Sequence, residues 1–498
     1  MAKELNRFLT TLDAGFLYAE RPREPLHIGS CMIYEGRMEL AELEQLLRDR
    51  LHLVPRYRQR AVFPPLNVSH PLWLDDPDFD LDHHLKAVEL EGEVGPAELA
   101  RAAAEVYGGM LDRDRPLWSI TLLHGLPGDN TAAIWKVHHA MIDGVSGVDL
   151  TMVLNDFSPT PEPPQRAAEE WSPQPLPDPL SLLQEAVQHR LAEVAKDMTD
   201  RTFDSFRPEK IAERMRRFSS AGAASLPRVM TPAPRTPFNR PVSGKLGYAW
   251  AQFPFTELRQ VKSVLGGTVN DLVLAILSGG LGRYLRGLGE RTEGVELRAM
   301  CPVSMRAADQ QGRLGNLVSM MIAPLFVGIE DPLERLEAER EAMASLKDAG
   351  QAEAFYDMTQ LGSGMSPAWM AMAGMLMPGV QTVFNTVSTN VPGPQIPLYQ
   401  NGRRLLAWLP MGVVSSNIGL FVAILTYNQT ITLGLTVDAE LVPDPWAVAR
   451  ALEESYRELR AVSGVEPEEP SEAIFTSAAP KGARGRGRGS SRSSRRSA

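Results

Sequence analysis

Apolar positions along this chain follow two rhythms, and the switches between them mark out its elements. Leu26 to Tyr34 alternates with the two-residue period of a strand. Leu40, Leu43, Leu47 and Leu51 then recur at helical spacing until Pro55 closes the helix. Upstream, Thr11-Leu12-Asp13 reads as a capped helix start. Pro96 opens a helix that runs towards Leu111, followed by a strand at Pro116-Leu117-Trp118 and a turn at Pro127-Gly128-Asp129-Asn130. The apolar run Ala133-Ile134-Trp135-Lys136-Val137 comes next and ends in His138-His139. Asp143-Gly144 turns the chain, and a helix through Val145, Val148 and Met152 stops near Pro159. Much later, Tyr248 to Phe253 reads as a strand and Glu257 begins a helix. Asn270-Asp271 opens another helix, with Leu274, Leu277, Leu281 and Leu285 on one face.

Between these two halves the pattern breaks down. Pro-rich pieces at 159–164 and 173–179 precede a charged helical stretch from Leu180 to about Ser219, broken near Pro208. This reads as a crossover containing an amphipathic helix, a spacer or a lid that touches lipid, with His189 a solvated surface residue. After Glu466 the chain turns acidic and Pro-rich, then Gly/Arg/Ser-rich from Lys481 to Ala498. Such a tail cannot build a core and is expected to be disordered. The expected division is 1–157, a crossover at 158–235, a second domain at 236–465 and a tail at 466–498. A length of 498 residues accommodates two domains.

Charge sharpens this picture. Between Asp357 and Asp438 the only charged residues are Arg403 and Arg404. Pro410, Ser415, Ser416, Asn417 and Gly419 interrupt the most apolar window, so buried strands of a large sheet are expected there and no transmembrane helix. Six methionines between Met358 and Met377 read as a buried helix or an adaptable wall for acyl chains. Net charge is −10, but the last eighteen residues carry seven basic groups and no acid, leaving near −17 for the rest. That disfavours nucleic acid as a partner of the globular body. The tail itself suits RNA, an anionic lipid surface or simple solubilisation. Two cysteines fit a reducing cytoplasm, and the first seven residues lack the apolar core of a secretory signal.

The chemistry concentrates at His138-His139. Strand alternation turns neighbouring side chains to opposite faces, so one imidazole meets a given substrate. A side chain that titrates near neutrality is the usual base for taking a proton from a hydroxyl. The plainer reading is a core histidine beside a surface one, followed by an ordinary Asp-Gly turn. Zinc is disfavoured, since the pair is split across two faces and Cys31 and Cys301 form no CxxC pair. A second pair, His83-His84, lacks a following Asp-Gly turn and reads as structural.

His138-His139-Ala140-Met141-Ile142-Asp143-Gly144 resembles the HHxxxDG signature of the CoA-dependent acyltransferase superfamily. Leu111 to Trp118 is similar to the "PLW" block, and Thr268 to Ala275 to the "ND" block, of bacterial wax ester synthase/diacylglycerol acyltransferases. Pro25-Leu26-His27-Ile28-Gly29, Met300 to Arg306 with Gly315-Asn316, and Asn390 to Pro394 extend the likeness over most of the chain.

The resemblance implies an α/β fold of two chloramphenicol acetyltransferase-like domains, each a mixed sheet flanked by helices. It implies acyl transfer from acyl-CoA to a diacylglycerol or long-chain alcohol, with no further cofactor and no metal. In that scheme His139 is the general base and His138 supports the local structure. Asp143 holds the turn through an ion pair with an arginine, Arg306 being one candidate. Gly144 allows the turn, and Asn270, next to Asp271, is the candidate oxyanion donor, although an Asn opening a helix is also a common N-cap. Pro116, Leu117 and Trp118 pack beneath the site. A cytoplasmic enzyme in peripheral contact with the inner membrane face or lipid inclusions is expected. The alternatives are a transferase using a carrier-protein thioester and a non-catalytic coat of lipid inclusions.

Overall fold

The computed structural model describes residues 7–141, 151, 154–160, 171–203, 231–304, 318–352 and 383–468. The first half runs α1 (Thr11–Ala19), β1 (His27–Tyr34), α2 (Leu40–Arg50), β2 (Gln59–Val62) and β3 (Leu72–Asp75). It continues through β4 (Leu85–Glu89), α3 (Pro96–Gly108), β5 (Trp118–His124) and β6 (Thr131–His138). The crossover contributes α4 (Pro179–Phe203). The second half opens with β7 (Leu246–Pro254), α5 (Phe255–Leu265), α6 (Val269–Gly287), β8 (Leu297–Ser304), β9 (Val318–Leu325) and α7 (Pro332–Asp348). It closes with β10 (Thr386–Pro392), β11 (Tyr399–Gln400), β12 (Arg403–Met411), β13 (Leu420–Tyr427), β14 (Thr430–Asp438) and α8 (Pro445–Ser463).

These strands form two six-stranded mixed sheets and a β2-β3 ribbon. The second sheet has the order β7-β14-β13-β10-β8-β9, and β13 is buried along its whole length. That accounts for the charge-poor stretch, because a strand covered on both faces reads as a continuous apolar run. Helices α6 and α8 pack against this sheet, and their leucines make one core with it, including Leu274, Leu277, Leu281 and Leu452. Among the described residues no single helix is long and apolar enough to cross a membrane.

The first sheet has the order β11-β12-β1-β6-β5-β4, so its outer strands β11 and β12 come from the far end of the chain. A boundary at residue 236 therefore does not part the two sheets, since Tyr399–Met411 belongs with the first. The crossing is tight. Pro410 O of β12 accepts a hydrogen bond from the Tyr248 hydroxyl of β7 at 2.9 Å. A Cβ on Gly434 of β14 would lie 1.9 Å from the same oxygen. Below this point α3, β1, β6, β7 and β12 share one core through Tyr107, Ile33, Ile134, Trp250 and Leu409.

Helix α4 lies on the β2-β3 ribbon, burying Leu182 against Leu72 and Leu74. His189 is not simply solvated: its ring stacks on Phe8 at 3.6 Å, because the N-terminal segment runs under the helix. The methionine-rich stretch and the basic tail lie outside the described residues.

The second core holds one costly group. Glu339 of α7 is completely buried, with Oε1 accepting from the Ser278 hydroxyl and from Phe326 N. Its Oε2 is buried without a hydrogen-bond partner among the described residues. Burial pushes this carboxyl up to about 7, outweighing the hydrogen bonds that pull it down.

Two expectations follow from the packing. Gly434→Ala is expected to cost about 2–3 kcal/mol in urea unfolding, because a backbone carbonyl cannot swing away as a side chain can. Glu339 holds its proton to higher pH in the folded state than its ordinary value of 4.5. Its contribution is therefore complete below pH 4.5 and lost as the pH rises through about 7. That loss is on the order of 3 kcal/mol. Unfolding curves of wild type and Glu339→Gln across this range are expected to diverge by that amount, the wild type alone losing stability.

Candidate active site

Every residue of β6 is buried, and the strand is held on both sides, by β1 and by β5. Its last residue, His138, donates its backbone N–H to Leu117 O at 2.9 Å. His139 donates its own to Leu26 O, on the opposite neighbour, also at 2.9 Å. The strand ends at His138 and His139 already belongs to the turn, so strand alternation does not extend to it. Both imidazoles meet the same element, α1 and its C-terminal cap.

His138 is completely buried. Its Nδ1 accepts from Ala140 N at 3.0 Å, which assigns the ring proton to Nε2. Nε2 lies 3.2 Å from Glu20 Oε1. Glu20 also accepts from Leu26 N at 3.0 Å, and from Arg113 Nε and a terminal guanidinium nitrogen at 3.0 and 2.8 Å. Burial pushes the Glu20 carboxyl up, but His138, Leu26 N and Arg113 together hold it at about 2. An imidazole bonded to a backbone donor and buried beside a fixed carboxylate supports the fold at this point.

His139 is only partly buried, and its ring lies flat on Phe16, with centroids 4.0 Å apart and planes 9° apart. Of the two histidines it is the one with part of its surface open.

The surroundings are stiff. Lys136 Nζ donates to Val106 O and Gly109 O at 3.1 and 2.6 Å, and His27 Nε2 lies 2.6 Å from Tyr107 O. These carbonyls end α3, where the helix dipole favours a cation. Burial lowers Lys136 to about 8. Burial, with the charge of Lys136 close by, lowers His27 to about 3, so the imidazole opposite His138 on β1 is neutral.

Pro116, Leu117 and Trp118 are buried and frame the end of β6. Leu117 supplies the carbonyl for His138, and Trp118 pairs with Val137. The Trp118 indole donates to Tyr57 O at 2.8 Å, and its ring stacks on His84, whose Nδ1 lies 2.9 Å from Trp118 O. His84 is thus structural and His83 is exposed.

Asn270 does not cap its helix. Thr268 does: its hydroxyl accepts from Asp271 N at 3.2 Å, and Asp271 Oδ2 accepts from Thr268 N at 2.8 Å. Asp271 is accounted for by this capping box, while Asn270 sits half-buried in the first turn of α6. Asp143, Gly144 and Arg306 lie outside the described residues. Among the described residues no group of three or more His, Cys, Asp or Glu could hold a metal ion.

Phe16, Glu20 and Arg113 did not stand out in the sequence as site residues. The signal for Phe16 and Glu20 is their i, i+4 spacing after a capped helix start, which also describes an ordinary surface helix, while Arg113 falls within the block from Leu111 to Trp118.

Residues 9–273 match the wax ester synthase/diacylglycerol acyltransferase catalytic domain, and residues 314–460 match the C-terminal domain of the same family. A Mycobacterium tuberculosis protein named "Probable diacylglycerol O-acyltransferase tgs1" is 31% identical over 459 residues, which is 91% of this chain and 96% of that protein. The structure of a wax ester synthase/diacylglycerol acyltransferase from Marinobacter aquaeolei VT8 superposes with a TM-score of 0.65 at 24% identity, covering 92% of this chain and all (100%) of that one. The first condensation domain of the CDA synthetase shares the fold, with a TM-score of 0.54 at 16% identity, covering 94% of this chain and 98% of that one. The two mixed sheets, the buried strand that ends in the histidine pair and the matched domains lead to one conclusion: this chain belongs to the wax ester synthase/diacylglycerol acyltransferase family.

Proposed function

We propose that this chain moves a long-chain acyl group from acyl-CoA to the hydroxyl of a diacylglycerol or long-chain alcohol, making triacylglycerol or wax ester, with His139 as general base. The observation that carries the choice of base is the contrast between the two imidazoles. His138 is sealed, with Nδ1 taken by the backbone N–H of Ala140 and Nε2 3.2 Å from the Glu20 carboxylate, while His139 is partly open just past the end of a buried strand. His139 takes the proton of the acceptor hydroxyl as its oxygen bonds to the thioester carbonyl carbon. The resulting tetrahedral oxyanion collapses, the C–S bond breaks, and the imidazolium returns the proton to the departing CoA thiolate. No acyl-enzyme forms, so no nucleophilic side chain is required. Asn270 is the proposed donor to the oxyanion, which a single positioned donor stabilises by roughly 3–4 kcal/mol. That the Asn270 side chain is not used as the helix cap supports this assignment. Asp143 and Gly144 are assigned to the turn that carries His139.

The acyl acceptors of this reaction dissolve in lipid, and we place the enzyme at the cytoplasmic face of a membrane or on a lipid inclusion. Support comes from α4, where Leu180, Val187, Leu191 and Val194 are exposed at spacings of one helical side. Leu180 is 73% and Leu191 65% exposed. Leu66, 84% exposed at a positive φ of 61°, projects from a loop in contact with that helix. A bulky residue rarely adopts this backbone conformation.

Two measurements test these readings. Purified protein given palmitoyl-CoA and dioleoylglycerol or hexadecanol, without any carrier protein, is expected to release CoA only when an acceptor is present. His139→Ala is expected to lower that rate roughly 100-fold or more, with an unchanged melting temperature. Acceptor-independent release, or none, would favour a carrier-bound donor or a coat protein instead. In flotation with phosphatidylglycerol-containing vesicles, Leu180→Ser/Leu191→Ser is expected to weaken binding roughly tenfold or more. Equal flotation of the variant would remove α4 from the contact.

A further inference from the structure

We propose that α1 is the clamp of the histidine pair, with Phe16 and Glu20 as positioning residues for His139. This inference rests on the assignment of His139 as base and adds what holds that base in place.

A histidine ring turns about a terminal torsion whose energy wells are broad, so an imidazole on a turn does not orient itself. His139 is held from two directions. Phe16 covers one face of the ring in a parallel stack at 4.0 Å. The backbone N–H of His139 is bonded to Leu26 O at 2.9 Å, and Leu26 N is in turn bonded to Glu20 Oε1 at 3.0 Å. The same oxygen faces His138 Nε2 at 3.2 Å. Both routes therefore begin on one element. Phe16 and Glu20 lie a helical turn apart, and Glu20 N donates to Phe16 O at 3.1 Å, closing the helix between them.

The clamp needs a fixed base, and α1 has three anchors. Thr10 caps its start by accepting from Asp13 N at 3.2 Å. Leu9 N donates to Pro71 O at 2.9 Å, tying the approach to α1 to the residues just before β3. Arg113, from the block before Trp118, reaches Leu17 O at 2.8 Å as well as the Glu20 carboxylate. Ala14 and Leu17 are buried beneath. A helix this well tied down holds a ring that its own strand does not.

The test is steady-state kinetics of the full-length protein with palmitoyl-CoA and dioleoylglycerol. Phe16→Leu keeps an apolar side chain without a ring, and Phe16→Met is a second ringless variant should the first fold poorly. Phe16→Leu is expected to lower kcat roughly tenfold or more while KM for both substrates stays within about twofold. Phe16→Tyr restores most of the loss. Glu20→Gln keeps an acceptor for Leu26 N but loses the charge, and lowers kcat in the same way. In the His139→Ala background, Phe16→Leu is expected to have no further effect on the residual rate. An inactive His139→Ala beside a fully active Phe16→Leu would overturn the clamp alone. An active His139→Ala would overturn the base assignment and the clamp with it. A Phe16→Tyr variant no better than Phe16→Leu, with melting temperature falling in both, would reduce Phe16 to packing.

Discussion

Strand β12 has to satisfy two sheets at once, and the position of the site depends on it. Its backbone pairs with β1 from Gly29↔Met411 to Tyr34↔Leu405. Pro410 within it cannot donate to a ladder, and its carbonyl is taken by Tyr248 of β7 while pressing on Gly434 of β14. Gly412 N, just past the strand, donates to the Thr436 hydroxyl of β14 at 3.0 Å. Buried backbone groups must find partners, and here the partners are divided between the halves. Since β1 lies between β12 and β6, the strand that carries the histidines is packed, through one intervening strand, against the second half of the molecule.

Around that strand end the charges are few and each has a reason. Glu20 is a buried carboxylate, tolerable only because Arg113, Leu26 N and His138 all face it. Lys136 is a buried ammonium, tolerable because it caps the exposed carbonyls of α3. His27, close to these groups, is neutral because burial penalises its charged form and the charge of Lys136 adds to that. The result is a low-dielectric frame with its polarity fixed before any substrate arrives, which is the condition under which a single imidazole and a single donor do most for a reaction.

How much of this was legible in the sequence differs by element. The run Ala133–Val137 announces a buried strand, because burial follows from the apolar residues themselves. The charge-poor stretch announces buried strands such as β13 for the same reason. Which sheet Arg403–Met411 joins was not legible, since alternation encodes the faces of a strand and not its partner. For Asn270, the candidate oxyanion donor, a helix cap was the open alternative because it sits near a helix start, but Thr268, two residues earlier, has the partner that makes the box. Phe16 and Glu20 were hidden for a third reason. On an amphipathic helix an aromatic and an acid one turn apart are unremarkable, and only the fold brings them against residues more than a hundred positions away.

The position of His139 just beyond the strand, rather than within it, follows from the chemistry proposed for it. A base inside β6 would be as inaccessible as His138, which is completely buried. A base far along a loop would be open but free to rotate, and the reaction uses the same nitrogen twice, first to accept a proton and then to return it. Rotation between those steps would carry the proton away from the thiolate. The first residue of the turn is a compromise in which the backbone is still bonded to Leu26 while the ring is already partly exposed. What the strand no longer supplies at that position is orientation, and an element outside the sheet has to supply it. Phe16 has the shape to do so, a flat face laid parallel to the ring at van der Waals distance.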